Sequence, residues 1–144
     1  MVHPGILALI SGLAAQAAKV VIDAVVNRRF RPAILFDNGG MPSSHTATVT
    51  TLALAVGRAE GFGSSIFSLV LIFSLFVVFE ATGLRQEIGK QAEVINDLMD
   101  SALAGKKVPG ERLRELMGHT WGEVAGGVVV GVGMYLWLGL PAAG

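Results

Sequence analysis

Two long stretches of this chain carry no charge, Phe62–Phe79 (FGSSIFSLVLIFSLFVVF) and Val124–Leu140 (VAGGVVVGVGMYLWLGL). Each approaches the roughly 20 apolar residues that cross the ~30 Å hydrocarbon of a bilayer, so each reads as a membrane helix. Ile6–Val26 (ILALISGLAAQAAKVVIDAVV) is equally apolar apart from Gln16, Lys19 and Asp23. It lacks the short hydrophobic region and small-residue cleavage site of a secretory signal, and is read as a retained helix. A soluble all-helical protein with oily core helices is the rival reading, and uncharged runs of this length decide against it. Composition agrees: 52% of residues are hydrophobic and 15% charged, on the apolar side of globular usage.

Formal charge is zero, with 11 basic and 11 acidic residues, so no overall field invites nucleic acid. The distribution says more. Arg28, Arg29 and Arg31 follow the first apolar segment, and Arg85, Lys90, Lys106, Lys107, Arg112 and Arg114 follow the second, whereas the connection on the other side offers only Arg58. The positive-inside rule puts both basic loops in the cytoplasm. The chain has no cysteine, which removes disulfides and thiolate metal sites.

The pattern predicts a first helix over about Gly5–Asn27 and a loop over Arg28–Met41, where Pro32 and Gly39-Gly40 interrupt. A second helix opens at Pro42-Ser43-Ser44-His45, with Ser43 or Ser44 as its N-cap, and runs to about Val56. Its threonines favour shielding by neighbours over exposure to lipid. A third helix follows the turn near Gly57–Gly63 and reaches about Gly83. From Leu84 to Leu103 apolar residues recur at helical spacing between Glu87, Lys90, Glu93, Asp97 and Asp100, which predicts an amphipathic helix at an interface or packed on the bundle. A turn over Gly105–Gly110, a short helix over Glu111–Met117 and a last long helix from Gly118-His119 complete the chain. The expectation is an all-α, small integral membrane helical bundle, with about four membrane-embedded helices plus an amphipathic interfacial helix, as one domain over 1–144.

An ionised group at bilayer depth costs on the order of 3 kcal/mol, so Gln16, Lys19 and Asp23, which share one helical face, must point into the bundle. Lys19 either neutralises Asp23 or reaches an anionic ligand. His45 and His119 both stand at the first turn of a helix, where unpaired N–H groups and the positive dipole end favour anions. Each alone reads as a capping or surface residue; together they read as two sides of one anion site. Glu123 lies one turn after His119 and can accept a hydrogen bond from one ring nitrogen, leaving the other as nucleophile or base. Arg31 and Arg85 add guanidinium groups suited to phosphate. Small residues at Gly118, Gly122, Gly126, Gly127 and Gly131 let another helix approach closely, within the monomer or across a homodimer.

Arg31-Pro32, Pro42-Ser43-Ser44-His45 and His119-x-x-x-Glu123 resemble, in order, the three signature motifs of the type 2 phosphatidic-acid phosphatase and vanadium haloperoxidase superfamily. GGMPSSHTA, ATGLRQEIGKQAEV and GHTWGEVAGG are similar to its small bacterial and plant branch of divergent phosphatidic-acid phosphatases, with a likeness running from Gln16 to Gly131. The chain departs from the superfamily at Ala24, where a lysine stands, at Ser44 (glycine), at Glu123 (aspartate), and at Glu111-Arg112-Leu113-Arg114, where Ser-Arg precedes the histidine. Arg85 is the candidate replacement for that arginine. The resemblance implies a phosphoric monoester hydrolase in which His119 attacks phosphorus, Glu123 orients it and His45 donates the proton. Lys19, Arg31, Ser43, Ser44 and Arg85 would bind the phosphate.

The expected activity is metal-independent and cofactor-free hydrolysis of a lipid phosphate, phosphatidylglycerol phosphate first and phosphatidate second, by a multi-pass protein of the cell membrane with its site facing the cytoplasm. A polyprenyl pyrophosphate phosphatase and a nonenzymatic membrane protein that binds lipid phosphate are the alternatives. The charge distribution gives a direct test. In intact cells an impermeant thiol reagent should label a Gly61→Cys variant and spare Lys107→Cys; the opposite pattern would reverse the orientation.

Overall fold

The computed structural model describes residues 2–28, 34, 40–102, 113 and 119–139. Among them there are helices and no strand. Helix α1 (Pro4–Asn27) has proline in its first turn, where the missing N–H costs nothing, and the His3 side chain caps it by accepting from the Gly5 N–H at 3.3 Å. It ends at Arg28 in the left-handed conformation. Helix α2 (Ser44–Glu60) is capped by Ser43, whose hydroxyl accepts from the Thr46 N–H at 3.2 Å. It runs one turn past the expected end and stops at Gly61, whose φ of 91° suits glycine.

Ser64 caps helix α3 (Ser65–Phe79). A π-helical turn, Glu80–Leu84, then leads directly into helix α4 (Arg85–Ala102). The boundary read near Gly83 is therefore a widened turn within a continuous helix, and α4 extends α3. Helix α5 (Trp121–Met134) is capped by Thr120 and closes in a second π-helical turn, Tyr135–Gly139. The turn expected over 105–110 and the short helix over 111–117 lie outside the described residues, Leu113 excepted.

Contacts fix the directions. Ser11 meets Thr51, and Lys19 lies beside Gly40, so α1 is antiparallel to α2. Ser74 meets Val49 while Phe67 lies by Gly57, so α3 is antiparallel to α2 as well. Gly127 sits against Ser43 and Thr46, and Gly131 against Ala47 and Thr50, so α5 runs parallel to α2. The ends of α1 and α3 thus share one end of the bundle with the starts of α2 and α5. Helix α2 stands at the centre, packed by all three.

Burial is inverted relative to a water-soluble protein. The interior is built from Ala8, Ser11, Ala15, Thr46, Ala47 and Thr51, while Leu13, Val25, Leu69, Phe76, Val129 and Trp137 face outward. Such an exterior needs a hydrocarbon solvent. Three helical stretches are long and apolar enough to span one: Pro4–Asn27, Ser65–Asp100 and Trp121–Gly139. The second has 36 residues, or ~54 Å at 1.5 Å per residue, more than the ~30 Å of hydrocarbon. The charged α4 part accordingly lies outside it.

Inside, hydroxyls and glycines hold the helices. Thr51 Oγ1 lies 2.8 Å from Ser11 Oγ and 2.9 Å from the Gly131 carbonyl, and Ser11 Oγ lies 3.4 Å from the Ala47 carbonyl. With one proton on each hydroxyl, a relay of donors links α1, α2 and α5. A methyl group at Gly131 would stand 2.8 Å from the Ala47 carbonyl oxygen and 2.9 Å from Thr50 Cβ. Of the glycine stripe expected from sequence, Gly127 and Gly131 therefore serve α2, and Gly118 lies outside the described residues. Gly131→Ala should cost about 1–3 kcal/mol, read as a lower melting temperature in detergent. Gly133→Ala, whose added carbon meets nothing within 4 Å, should leave it unchanged or slightly raised.

Candidate active site

The common end of α2 and α5 is assembled by main-chain hydrogen bonds. The Ser43 N–H donates to the Glu123 carbonyl at 3.0 Å, joining the two helix starts, and the His119 N–H donates to the Ala81 carbonyl at 2.8 Å, joining α5's lead-in to the π turn after α3. Two helix N-termini, each a positive dipole end, are thereby set side by side.

His119 is 1% exposed. Its Nδ1 lies 2.8 Å from Glu123 Oε2, and that same oxygen accepts from the Thr120 N–H at 3.3 Å. The Thr120 hydroxyl returns a bond, accepting from the Glu123 N–H at 3.3 Å, which completes a capping box. Glu123 therefore caps α5 and holds the histidine ring at once. A carboxylate only accepts, so Nδ1 carries the proton and Nε2 is the basic nitrogen. His45, exposed in the first turn of α2, places its ring centroid 6.0 Å from that of His119.

Lys19 is 2% exposed, buried in the bundle as its helical face requires. A methyl group at Gly40 would stand 3.8 Å from Lys19 Cδ, so the lysine stem runs along the turn before Ser43; Gly40 adopts φ 92°, which glycine tolerates. Gln16, on the same face, donates to the Ile34 carbonyl at 3.5 Å, and Asp23 accepts from the Asn27 amide at 2.6 Å. Ser43 is fully buried, its N–H donating to the Glu123 carbonyl and its hydroxyl oxygen accepting from the Thr46 N–H; Ser44, the first residue of α2, is half-buried.

The structure thus brings together Ser43, Ser44, His45, His119 and Glu123, with Lys19 beside Gly40 in the turn that leads into α2. Arg31 lies outside the described residues, and Arg85 is described only as the first backbone position of α4. Sequence reasoning missed Thr120, although Thr120-x-x-Glu123 is the spacing of a capping box. It also missed the Ala81 carbonyl, which no side-chain pattern could reveal. As a purely structural feature, the His119–Glu123 pair would be a helix cap. A second histidine and a buried lysine at the same pair of helix starts exceed what a cap needs.

The family model described as "Divergent PAP2 family" matches residues 3–134. The uncharacterized membrane protein YuiD of Bacillus subtilis (strain 168) is 38% identical over 139 residues, covering 86% of this chain and 88% of that protein. No solved structure matches.

Thr120→Ala should cost about 1 kcal/mol, the value of an N-cap, seen in thermal unfolding. Glu123→Ala should cost more, because it also removes the partner of His119. Nitrogen NMR of the imidazole should then show a mixture of tautomers in place of the Nδ1-protonated form; an unchanged spectrum would deny that the carboxylate orients the ring.

Proposed function

The chain belongs to the divergent PAP2 family, and on that premise we propose that it is a lipid phosphate phosphatase working through a phosphohistidine at the membrane surface. The observation that carries this reading is the His119 ring, held through Nδ1 by Glu123 and facing His45 across 6.0 Å where two helix starts meet.

In the proposed reaction His119 Nε2 attacks phosphorus in line with the ester oxygen. The P–O bond to the lipid breaks as the P–N bond forms, and His45 protonates the departing alkoxide. Water then attacks the phosphohistidine with His45 taking its proton, and inorganic phosphate leaves. Acid and base assistance of this kind contributes typically ~10²–10⁴ in rate. Lys19 and the α2 first turn at Ser44 stabilise the equatorial oxygens, with Arg31 and Arg85 as further guanidinium donors and Ser43 holding the turn in shape. No metal enters the scheme.

Position favours a lipid substrate. Trp121 is 66% exposed and Trp137 75%, and aromatic residues of this kind settle at the two faces of a bilayer. His119 stands two positions before Trp121, at the depth of phospholipid headgroups. Arg28 and Lys90 lie at this same end, so we place it in the cytoplasm of a cell-membrane protein, with phosphatidylglycerol phosphate the first substrate and phosphatidate the second.

Purified protein should release phosphate from these lipids, with chelator present, and His119→Ala should abolish it. His45→Ala should still be phosphorylated by a substrate with a good leaving group and accumulate acid-labile, base-stable phosphate. Faster release from a polyprenyl pyrophosphate would change the substrate class. Binding of lipid phosphate without any release would replace the enzyme by a binding protein.

A further inference from the structure

Among its described side chains, helix α4 buries a narrow stripe, Gly89, Ala92 and Asn96, at i, i+3 and i+7 spacing, while Ile88, Val94, Ile95 and Leu98 stay exposed. Asn96 is the polar member of that stripe and is 3% exposed. Its carboxamide pairs with both main-chain groups of one residue: Nδ2 donates to the Leu113 carbonyl at 3.0 Å, and the Leu113 N–H donates to Oδ1 at 3.2 Å. A planar amide with a donor and an acceptor side by side suits such a pairing, and an acidic or hydroxyl side chain cannot supply both in that geometry.

Leu113 belongs to the stretch that delivers His119 to the start of α5. The far end of that stretch is fixed to the same continuous helix, since the His119 N–H bonds the Ala81 carbonyl at 2.8 Å. The α3–α4 helix therefore grips the lead-in at two levels, by main chain at Ala81 and by side chain at Asn96. We propose that Asn96 is a positioning residue for His119, acting through Leu113 to hold the buried imidazole in register with Glu123 and His45. This inference rests on the reading of His119 as the nucleophile, and the Asn96 clamp itself can be tested apart from turnover.

The probe is diethyl pyrocarbonate, with modification of each histidine followed by peptide mass spectrometry. His45 is exposed and should react readily in the wild type, whereas His119 should be shielded. In Asn96→Ala, His119 modification should rise about tenfold as local opening becomes easier, with His45 little changed. Because small misplacement of reacting groups is costly, kcat should fall by about 10–100-fold while KM stays nearly constant. Asn96→Asp keeps the acceptor and loses the donor, so it should give intermediate values, and it decides the matter if the alanine variant does not assemble. Ser74→Ala, which removes a hydroxyl between α2 and α3, is the control for general loosening.

Wild-type shielding of His119 in both Asn96 variants would overturn the proposal. So would equal effects from Ser74→Ala. If the wild type releases no phosphate from any lipid, the phosphatase reading fails, and the shielding of His119 still decides whether Asn96 positions it.

Discussion

The contact between α2 and α5 is one of backbone against backbone, because Gly127 and Gly131 leave room for the main chain of Ser43–Thr50. A carbon added at Gly127 would fall 2.6 Å from the Ser43 carbonyl oxygen. At this separation the Ser43 N–H reaches the Glu123 carbonyl, and the first turns of the two helices become level. His45 and His119 face each other for that reason. Longer side chains along the seam would push α5 outward, and His119, carried along with Glu123 and the capping box, would draw away from His45 and Ser43.

Lipid offers no hydrophobic gain for bringing helices together, since its tails are as apolar as leucine, so close packing and hydrogen bonds must do it. An interior mainly of alanine, serine, threonine and glycine follows, with Leu7 the large aliphatic residue enclosed in it and most other bulky residues left to the bilayer. An interior of this kind also accepts Gln16 and Lys19, which hydrocarbon would exclude. The candidate site is the continuation of that polar interior to the bundle's end, where dipoles, a lysine and two histidines converge.

Much of this was legible from residue spacing. Uncharged runs gave the spanning helices, the polar face of α1 pointed inward, and alternating chain direction placed His45 and His119 at one end. Ser43 and the glycine stripe were also visible, because capping and close approach are local or periodic demands. Features that depend on three-dimensional neighbours were not. Glu80–Leu84 reads as an ordinary helix end, yet it is a π turn that keeps α3 and α4 continuous and presents the Ala81 carbonyl to His119. Asn96 reads as one more polar position on an amphipathic helix, and only the fold reveals its pairing with Leu113.

The central place of α2 bears on how the protein is made. This helix carries Thr46, Thr48, Thr50 and Thr51 in its first half and Arg58 and Glu60 at its far end, and it is not among the stretches long and apolar enough to span a bilayer unaided. During biosynthesis it emerges between two strongly apolar segments that partition readily into lipid, and the buried hydroxyl of Thr51 finds its partners on α1 and α5, at Ser11 and the Gly131 carbonyl. Its residence at bilayer depth is thus conferred by its neighbours, and α5, which follows α1–α4 in the chain, supplies the carbonyl of Gly131 to Thr51. Stable integration of α2 is therefore coupled to the arrival of a helix that lies far from it in the chain.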